Sequence, residues 1–217
     1  MKRVEMRSLS ILGSFAERNS MINAVRFSHT PDITVVNQRQ FELHYGLYKN
    51  YVNSINKLTC EIEHASEDIK EEANTTNGLF RSLKRGETYA LNGVILHELY
   101  FRNMGGTTSA PKEQLKAALE ERFGSVDKWR EDFVATAKAS RGWTILVYDE
   151  RGKCLRNILL DGHDEGMVAF AHPLLVLDMY EHAYFFQYGS NRGAYIEAFM
   201  QNIHWDIVAQ RMNYYGV

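Results

Sequence analysis

The hydrophobic pattern changes its period after residue 140, and this change limits the fold more than any other feature of the chain. Before it, apolar residues recur at helical spacing, as they do from Val35 to about Ile62. After it come two segments rich in β-forming residues, GWTILVYDE and KCLRNILLD, separated by the hairpin signature Arg151-Gly152. A third strand is predicted for HPLLVLD, residues 172–178, and helical spacing returns from Asn191 to Tyr215. The prediction is an α+β protein, with an all-helical N-terminal helical-hairpin domain followed by helices around a small three-stranded antiparallel sheet.

Shorter signals divide the helical part. A short helix is predicted near Ile69, a loop over residues 74–78, and an almost wholly apolar, buried helix over residues 89–101. The segment PKEQLKAALEERFG has a proline near its first turn and a glycine at its end, which are typical of the start and the end of a helix. Ser125 can cap the helix that follows, VDKWREDFVATAKAS.

Composition excludes several classes of function. The chain has 217 residues, 45% of them hydrophobic, with a formal net charge of -2 and a pI near 6.5. That balance offers no basic surface for nucleic acid or for a membrane, and no segment approaches the length of a transmembrane helix.

The two cysteines, Cys60 and Cys154, lack any paired spacing. This excludes a disulfide scaffold and a cysteine-built metal site, and it favours a reducing compartment. The longest apolar run near the N-terminus is too short for a signal-peptide core, so we expect a cytoplasmic protein. An organellar protein whose targeting segment has been removed is the alternative.

Four polar residues in apolar surroundings indicate a metal site. His44 and His97 each lie in an apolar stretch of a predicted helix, and LDMYEHAYF, residues 177–185, carries Asp178 and His182 among aromatic residues. Either helical histidine alone is more simply a hydrogen-bonded core residue, and His64, His29, His172 and His204 are assigned to the surface or to local structure. Together, three imidazoles and one carboxylate suit a first-row transition metal and are poor ligands for calcium or magnesium. Zinc also fits this ligand set.

The sequence around these residues resembles that of a known family. HPLLVLDMYEHAYFFQYGSNRGAYIEAFMQNIHWDIVAQR resembles the C-terminal signature of the iron/manganese superoxide dismutases, written D-x-W-E-H-A-Y. FELHYGLYKNYVNSIN and GVILHELYFRNM resemble the two helices that carry ligand histidines in that family, and LKAALEERFGSVDKWREDFVATAKASRGWTILVYD resembles the middle of its C-terminal domain. The resemblance runs from about Val35 onward, whereas residues 1–30 have no assigned counterpart.

The resemblance implies both a site and an activity. His44, His97, Asp178 and His182 are the implied ligands of one Fe or Mn ion per subunit, with a solvent molecule in a fifth position. The implied reaction converts superoxide into dioxygen and hydrogen peroxide. The choice between iron and manganese stays open, because members with histidine as the donor to the metal-bound solvent include iron-using and metal-tolerant ones.

Further residues acquire implied roles. Tyr51 matches a tyrosine that gates access, and His163 matches the residue hydrogen-bonded to the metal-bound solvent, where it could itself titrate. One branch places that donor on the second ligand helix, but the corresponding residue is Gly93. The remaining implied roles are aromatic walls at Trp143 and Tyr184, an arginine near the site or in a structural ion pair at Arg192, and a carboxylate that reaches a ligand histidine of the other subunit at Glu181. The last role implies a homodimer or a dimer of dimers.

The chain departs from the family pattern in three places. His44 and Tyr51 are seven residues apart, one fewer than in most members, so we hypothesise that this helix lacks a one-residue π-type bulge and that His44 still faces the metal. Tyr180 replaces the usual tryptophan and adds a hydroxyl that needs a partner. Leu47 replaces a histidine that usually precedes the gating tyrosine.

Asn103–Ser109 is the strongest linker candidate in the chain. The expected organisation is an N-terminal extension of unknown role over residues 1–33, a helical-hairpin domain over 34–106 and an α/β metal-binding domain over 107–217. Two alternatives to an active dismutase stay open. One is a catalytically impaired structural or interaction homologue of the same fold, and the other is a mononuclear hydrolase, for which we identify no general base.

Overall fold

The structure is a computed structural model that describes residues 21–108 and 110–216. Within these residues the helices are α1 Gln38–Glu63, α2 Glu67–Glu71, α3 Leu79–Arg102, α4 Glu113–Phe123, α5 Val126–Ala139, α6 Glu181–Tyr188, α7 Arg192–Gln201 and α8 Trp205–Tyr214. The strands are β1 Trp143–Asp149, β2 Cys154–Leu160 and β3 Ala171–Asp178. The predicted α+β architecture, with long N-terminal helices and a three-stranded antiparallel sheet, is confirmed. No helix in the described ranges is long and apolar enough to cross a membrane.

The first long helix begins three residues later than predicted. The Asn37 side chain accepts a hydrogen bond from the Gln40 backbone N–H and caps α1. Val35 and Val36 are buried, but they lie before this cap. Their apolar character therefore reflects packing of the bend that precedes the helix and not the first turn of a helix.

The second long helix differs from its prediction in length and in burial. It begins at Leu79, ten residues before the predicted start, and Tyr89, Leu91 and Ile95 are exposed. The helix is therefore buried on one side only, and the prediction of an almost wholly buried helix is wrong. Gly93 approaches Tyr51 while Gly86 approaches Leu58, so α1 and α3 run antiparallel.

The sheet has the order β2-β1-β3, with both pairings antiparallel. A register shift between Leu146 and Val147 marks a bulge opposite β3, and beyond it the register places Trp143 opposite Asp178. The last residue of β3 therefore lies beside the first residue of the central strand, at the end of the sheet that faces the long helices.

The tail from Asn191 to Tyr215 is not one helical stretch. It forms α7 and α8, which are separated at Asn202, and α6 precedes them as a helix that the sequence pattern did not predict. The helix ends there because the backbone of this segment pairs with the segment after α3: Gly106 N donates to Asn202 O, and His204 N donates to Asn103 O. The Asn202 side chain adds three bonds, since Oδ1 accepts from Thr34 N and Gly105 N and Nδ2 donates to Asp32 O. This asparagine thereby ties the tail to the segment that follows α3.

Residues 21–33, the described part of the expected N-terminal extension, lie along the long helices. Ile22 N donates to Asn56 Oδ1, Val25 N donates to the Tyr48 hydroxyl, and the Phe27 ring packs 5.2 Å from that of Phe101. Residues 1–20 lie outside the described ranges.

Candidate metal centre

Four separate elements of the fold bring the candidate ligands together. His44 lies on α1, His97 on α3, Asp178 at the end of β3, and His182 in the first turn of α6. One ligand atom from each of these side chains lies within 4.8 Å of the others. Asp178 Oδ2 is 3.1 Å from His44 Nε2, 3.7 Å from His97 Nε2 and 3.2 Å from His182 Nε2. The ligand set predicted from the sequence is therefore assembled around one carboxylate oxygen.

The polar atoms of this cluster fit a metal ion. The Nε2 atoms of His44 and His97 are buried and have no hydrogen-bond partner of acceptable geometry, although both lie close to Asp178. Donors about 2.1 Å from one ion lie roughly 3–4 Å from each other, which matches the spacings around Asp178 Oδ2. Two unpartnered nitrogens beside a buried carboxylate are what a site for a cation requires, since buried polar atoms otherwise find partners.

The charge states of the cluster also suit metal binding. Burial alone would raise the pKa of Asp178, but the imidazoles of His182 and His44 hold it below its ordinary value. Burial lowers the pKa of His44, and it lowers that of His97 to about 3. The cluster therefore presents a carboxylate at Asp178 and neutral imidazoles at His44 and His97, the protonation states in which these groups bind metal.

The spacing between His44 and Tyr51 agrees with the proposed absence of a bulge. Helix α1 is α-helical from Gln38 to Glu63, so residues 44, 48 and 51 lie on one face at intervals of four and three. His44 points towards Asp178, and the Tyr51 ring lies 5.2 Å from the His97 ring. A regular helix therefore delivers both side chains to the site with one residue fewer between them.

His163 is wholly buried in the loop after β2, and its hydrogen bonds determine its tautomer. Trp143 Nε1–H donates to His163 Nδ1 at 2.9 Å, so in the neutral ring the proton lies on Nε2, which donates to the Tyr51 hydroxyl at 2.8 Å. Burial lowers the pKa of His163 to about 4. This histidine is therefore expected to titrate well below neutral pH. At neutral pH its ring is uncharged and donates one hydrogen bond.

Gly93 has two effects on the site. Its carbonyl accepts from His97 Nδ1 at 2.6 Å, which directs Nε2 of that ring towards Asp178. A Cβ at this position would lie 2.8 Å from Tyr51 Cδ1, so a larger residue here would displace the tyrosine. In one branch of the family the residue at this position is expected to carry the donor to the metal-bound solvent. Here the Tyr51 ring occupies the space that such a side chain would need.

Aromatic side chains wall the cluster. The Trp143 ring lies 5.1 Å from that of His97, and the Tyr180 ring stacks 5.2 Å from that of His182. The Tyr180 backbone N–H also donates to Asp178 Oδ1. Tyr184 lies further out and stacks on Tyr195, whose hydroxyl donates to the Asp178 carbonyl.

The two remaining expected residues differ in position. The Arg192 guanidinium donates to the carbonyls of Ala137 and Ser140 at the end of α5, where a cation complements the helix dipole. These contacts are structural, and they are made to carbonyls and not to the partner carboxylate expected of an ion pair. Glu181 is exposed beside His182.

One residue at the site was missed by the sequence interpretation. The Tyr89 ring lies 4.4 Å from that of His163 and 6.2 Å from that of Tyr51. Tyr89 precedes Gly93 by four residues and His97 by eight, and this helical spacing could have identified it.

Comparisons with known proteins agree with this geometry. Residues 111–211 match the family model described as iron/manganese superoxide dismutases, C-terminal domain. The chain is 40% identical to an Fe superoxide dismutase of Cupriavidus metallidurans over 174 residues, which is 79% of this chain and 83% of that protein. It is 36% identical to a Mn superoxide dismutase of Halobacterium salinarum (76% and 80% covered) and 37% identical to an Fe superoxide dismutase of Aquifex aeolicus (81% and 84% covered). This chain belongs to the iron/manganese superoxide dismutase family.

Proposed function

We propose that this protein is a superoxide dismutase with one Fe or Mn ion held by His44, His97, Asp178 and His182. The observation that carries the proposal is the pair of buried, unpartnered imidazole nitrogens facing a buried carboxylate, in a chain of this family. Two superoxide ions and two protons yield one dioxygen and one hydrogen peroxide. The bound ion supplies the two accessible oxidation states that this reaction needs, which zinc does not have.

The surrounding residues perform three tasks. The Asp178 carboxylate offsets the positive charge of the ion in a buried site. The rings of Trp143 and Tyr180 exclude water around the ligand histidines. His163 donates its only ring proton, at Nε2, to the Tyr51 hydroxyl, which leaves the proton of Tyr51 as the one available to protonate peroxide.

Metal content and activity measured on the same preparation test this proposal. Purified protein is expected to contain iron or manganese and to disproportionate superoxide at a rate proportional to the bound metal. Protein loaded with either metal but inactive would instead support an impaired homologue. Activity that persists after complete metal removal would contradict the assigned site.

We also propose that two copies pack around the face that carries His182. A groove of about 350 Å³ on this face is lined by Gln40, Leu43, Leu47, Glu181, His182, Phe185 and Phe186. Phe185 and Phe186 are 53% and 61% exposed, and the His182 side chain is 30% exposed although it is a metal ligand. Gln40 Oε1 is buried here without a partner. A second subunit would cover the apolar rings and bring its Glu181 to the outer nitrogen of His182.

A charge placed in this groove is expected to weaken the dimer. Phe186→Glu should increase the dissociation constant of the dimer by at least about tenfold, because an unpaired carboxylate would have to be buried among apolar rings. Sedimentation equilibrium measures this. Phe170→Glu, the same change at another exposed phenylalanine, is the control. Equal dissociation constants for the two variants would place the interface elsewhere.

Two further expectations are carried forward as proposals. We propose that residues 34–106 and 107–217 are separate domains that each supply two ligands, His44 and His97 from the first and Asp178 and His182 from the second. We also propose a reducing, cytoplasmic location, since Cys60 and Cys154 are both free thiols.

A further inference from the structure

The segment before α1 lies along the long helices, and we call its residues 22–29 the strap. Val25, Phe27 and His29 are half-buried, whereas the residues between them and on either side of them are exposed. Burial of every second residue is the pattern of an extended chain, whose side chains alternate between two faces. One face of the strap therefore packs on the protein and the other is exposed to solvent.

Side chains of α1 bind the main chain of the strap. The Asn56 amide bonds both main-chain groups of Ile22, since Oδ1 accepts from Ile22 N at 2.8 Å and Nδ2 donates to Ile22 O at 2.9 Å. Two hydroxyls hold Val25 in the same way: its N–H donates to Tyr48 at 2.9 Å, and its carbonyl accepts from Tyr45 at 3.2 Å. Because these main-chain groups have specific partners, the strap is fixed at one place along α1.

The strap also contacts α3. The Phe27 ring lies 5.2 Å from that of Phe101, and the guanidinium of Arg102 lies 5.7 Å from the centre of the Phe27 ring. The Tyr48 hydroxyl, which accepts from the strap, donates to Glu98 Oε1 at 2.7 Å. The strap is therefore attached to both of the helices that carry ligand histidines.

The rings of Tyr48 and Phe101 connect the strap to the metal centre. Both side chains are buried. The Phe101 ring lies 5.1 Å from the His44 ring and 6.4 Å from the His97 ring, and the Tyr48 ring lies 6.4 Å from the His97 ring. Phe27 contacts these two rings, at 5.2 Å from Phe101 and 6.1 Å from Tyr48. The strap thus supports the residues against which two ligand imidazoles pack.

We propose that the strap retains the metal ion by holding α1 against α3. The inference rests on the metal site of the proposed function and not on turnover. The two helices supply two of the four proposed ligands, so a local opening that separates them removes an imidazole from the ion. The strap opposes this opening because it is bonded to α1 and packs on α3. Phe27 and Asn56 are therefore positioning residues that do not touch the ion.

The rate of metal release tests this proposal. Manganese-loaded protein is mixed with excess EDTA at a temperature at which the wild type releases its metal over hours. Phe27→Ala should release manganese at least about tenfold faster, because it removes the ring that packs on α3. Asn56→Ala, which removes both bonds to Ile22, should release it about fivefold faster or more. Phe170→Ala, at an exposed phenylalanine, and Asn53→Ala, at an exposed asparagine of α1, are the matched controls and should keep the wild-type rate.

Hydrogen exchange of the metal-free protein separates local opening from general destabilisation. In Phe27→Ala the amides of the strap, α1 and α3 should exchange faster, whereas those of β1 and β3 should keep their wild-type rates. Mass spectrometry of peptides from each element measures this. Faster exchange in the sheet as well would assign Phe27 to the stability of the whole fold and would overturn the proposal.

The remaining outcomes separate the strap from the proposed function. Metal release at the wild-type rate in both strap variants would overturn the strap and leave the dismutase function intact. If Phe27→Ala does not fold, Asn56→Ala and its control decide the question. Wild-type protein that binds manganese but does not disproportionate superoxide, with faster release in the strap variants, would overturn the function and support the strap. Wild-type protein that binds neither iron nor manganese would overturn both.

Discussion

Asp178→Asn is expected to lose most of the bound metal and to lower dismutase activity by at least about a hundredfold, because removing even a hydrogen-bond partner of a ligand typically costs 10–100-fold. Asp178 Oδ2 is the atom shared by all three imidazoles, at 3.1–3.7 Å. Asparagine keeps the size of the side chain but removes the only negative charge among the four ligands. Three imidazoles and an amide would then face a cation in a site whose Asp178, His44 and His97 side chains are buried.

Metal content by elemental analysis and activity per subunit check this result. Asp68→Asn, the same chemical change at an exposed carboxylate in α2, is the control. Near-normal metal content together with near-normal activity in Asp178→Asn would show that the ion is bound elsewhere. Normal metal with lost activity would instead assign Asp178 to tuning the ion and not to holding it.

Removing the metal is expected to lower the melting temperature by roughly 10 °C, since a ligand at about a thousand times its Kd stabilises the folded state by about 4 kcal/mol. The structural reason is the pair of unpartnered Nε2 atoms of His44 and His97, each of which costs about 1–3 kcal/mol when buried without a partner. Calorimetry on metal-free and reconstituted protein measures the difference. Equal melting temperatures would mean that the cluster is satisfied without an ion.

The metal-free protein should also be sensitive to acid. The pKa values of His44, His97 and His163 lie below the ordinary 6.5, with the last two at about 3 and about 4. Below pH 6.5 the unfolded chain therefore binds more protons than the folded one, so the free energy of unfolding falls as the pH falls from 6.5 towards 4. Above pH 6.5 these groups contribute no pH dependence. Denaturant titrations across this range, with the metal-loaded protein as control, measure the slope; a flat profile would contradict burial of neutral imidazoles.

The ligand set could be predicted from the sequence for a physical reason. Titratable side chains in apolar runs have few explanations, and a shared cation is one of them. The sheet could also be predicted, because its strands are short and rich in β-formers, and a tight hairpin joins β1 to β2. Helix α6 was missed: the aromatic residues around His182 show no helical periodicity, and their exposed side is one that we propose a second subunit covers.

Other properties depend on groups that are distant in sequence. The tautomer of His163 is determined by Trp143 on one side and Tyr51 on the other, and no local pattern contains that information. The break at Asn202 results from backbone pairing with the segment after α3, in which Gly106 N donates to Asn202 O and His204 N donates to Asn103 O. Val35 and Val36 extended the helical pattern because burial alone does not distinguish a helix from the packed segment that precedes it.

The close approach of Gly93 to Tyr51 bears on how such a chain can evolve. The family resemblance implies a donor to the metal-bound solvent either on the sheet domain or on the second ligand helix, and Gly93 occupies the position on that helix. A glutamine introduced at position 93 would meet the Tyr51 ring at under 3 Å from its first side-chain carbon. A one-step exchange of the donor position is therefore closed to this protein. A donor at position 93 would therefore require a second change that moves the Tyr51 ring, and the regular α1 that holds Tyr51 in this place opposes such a move.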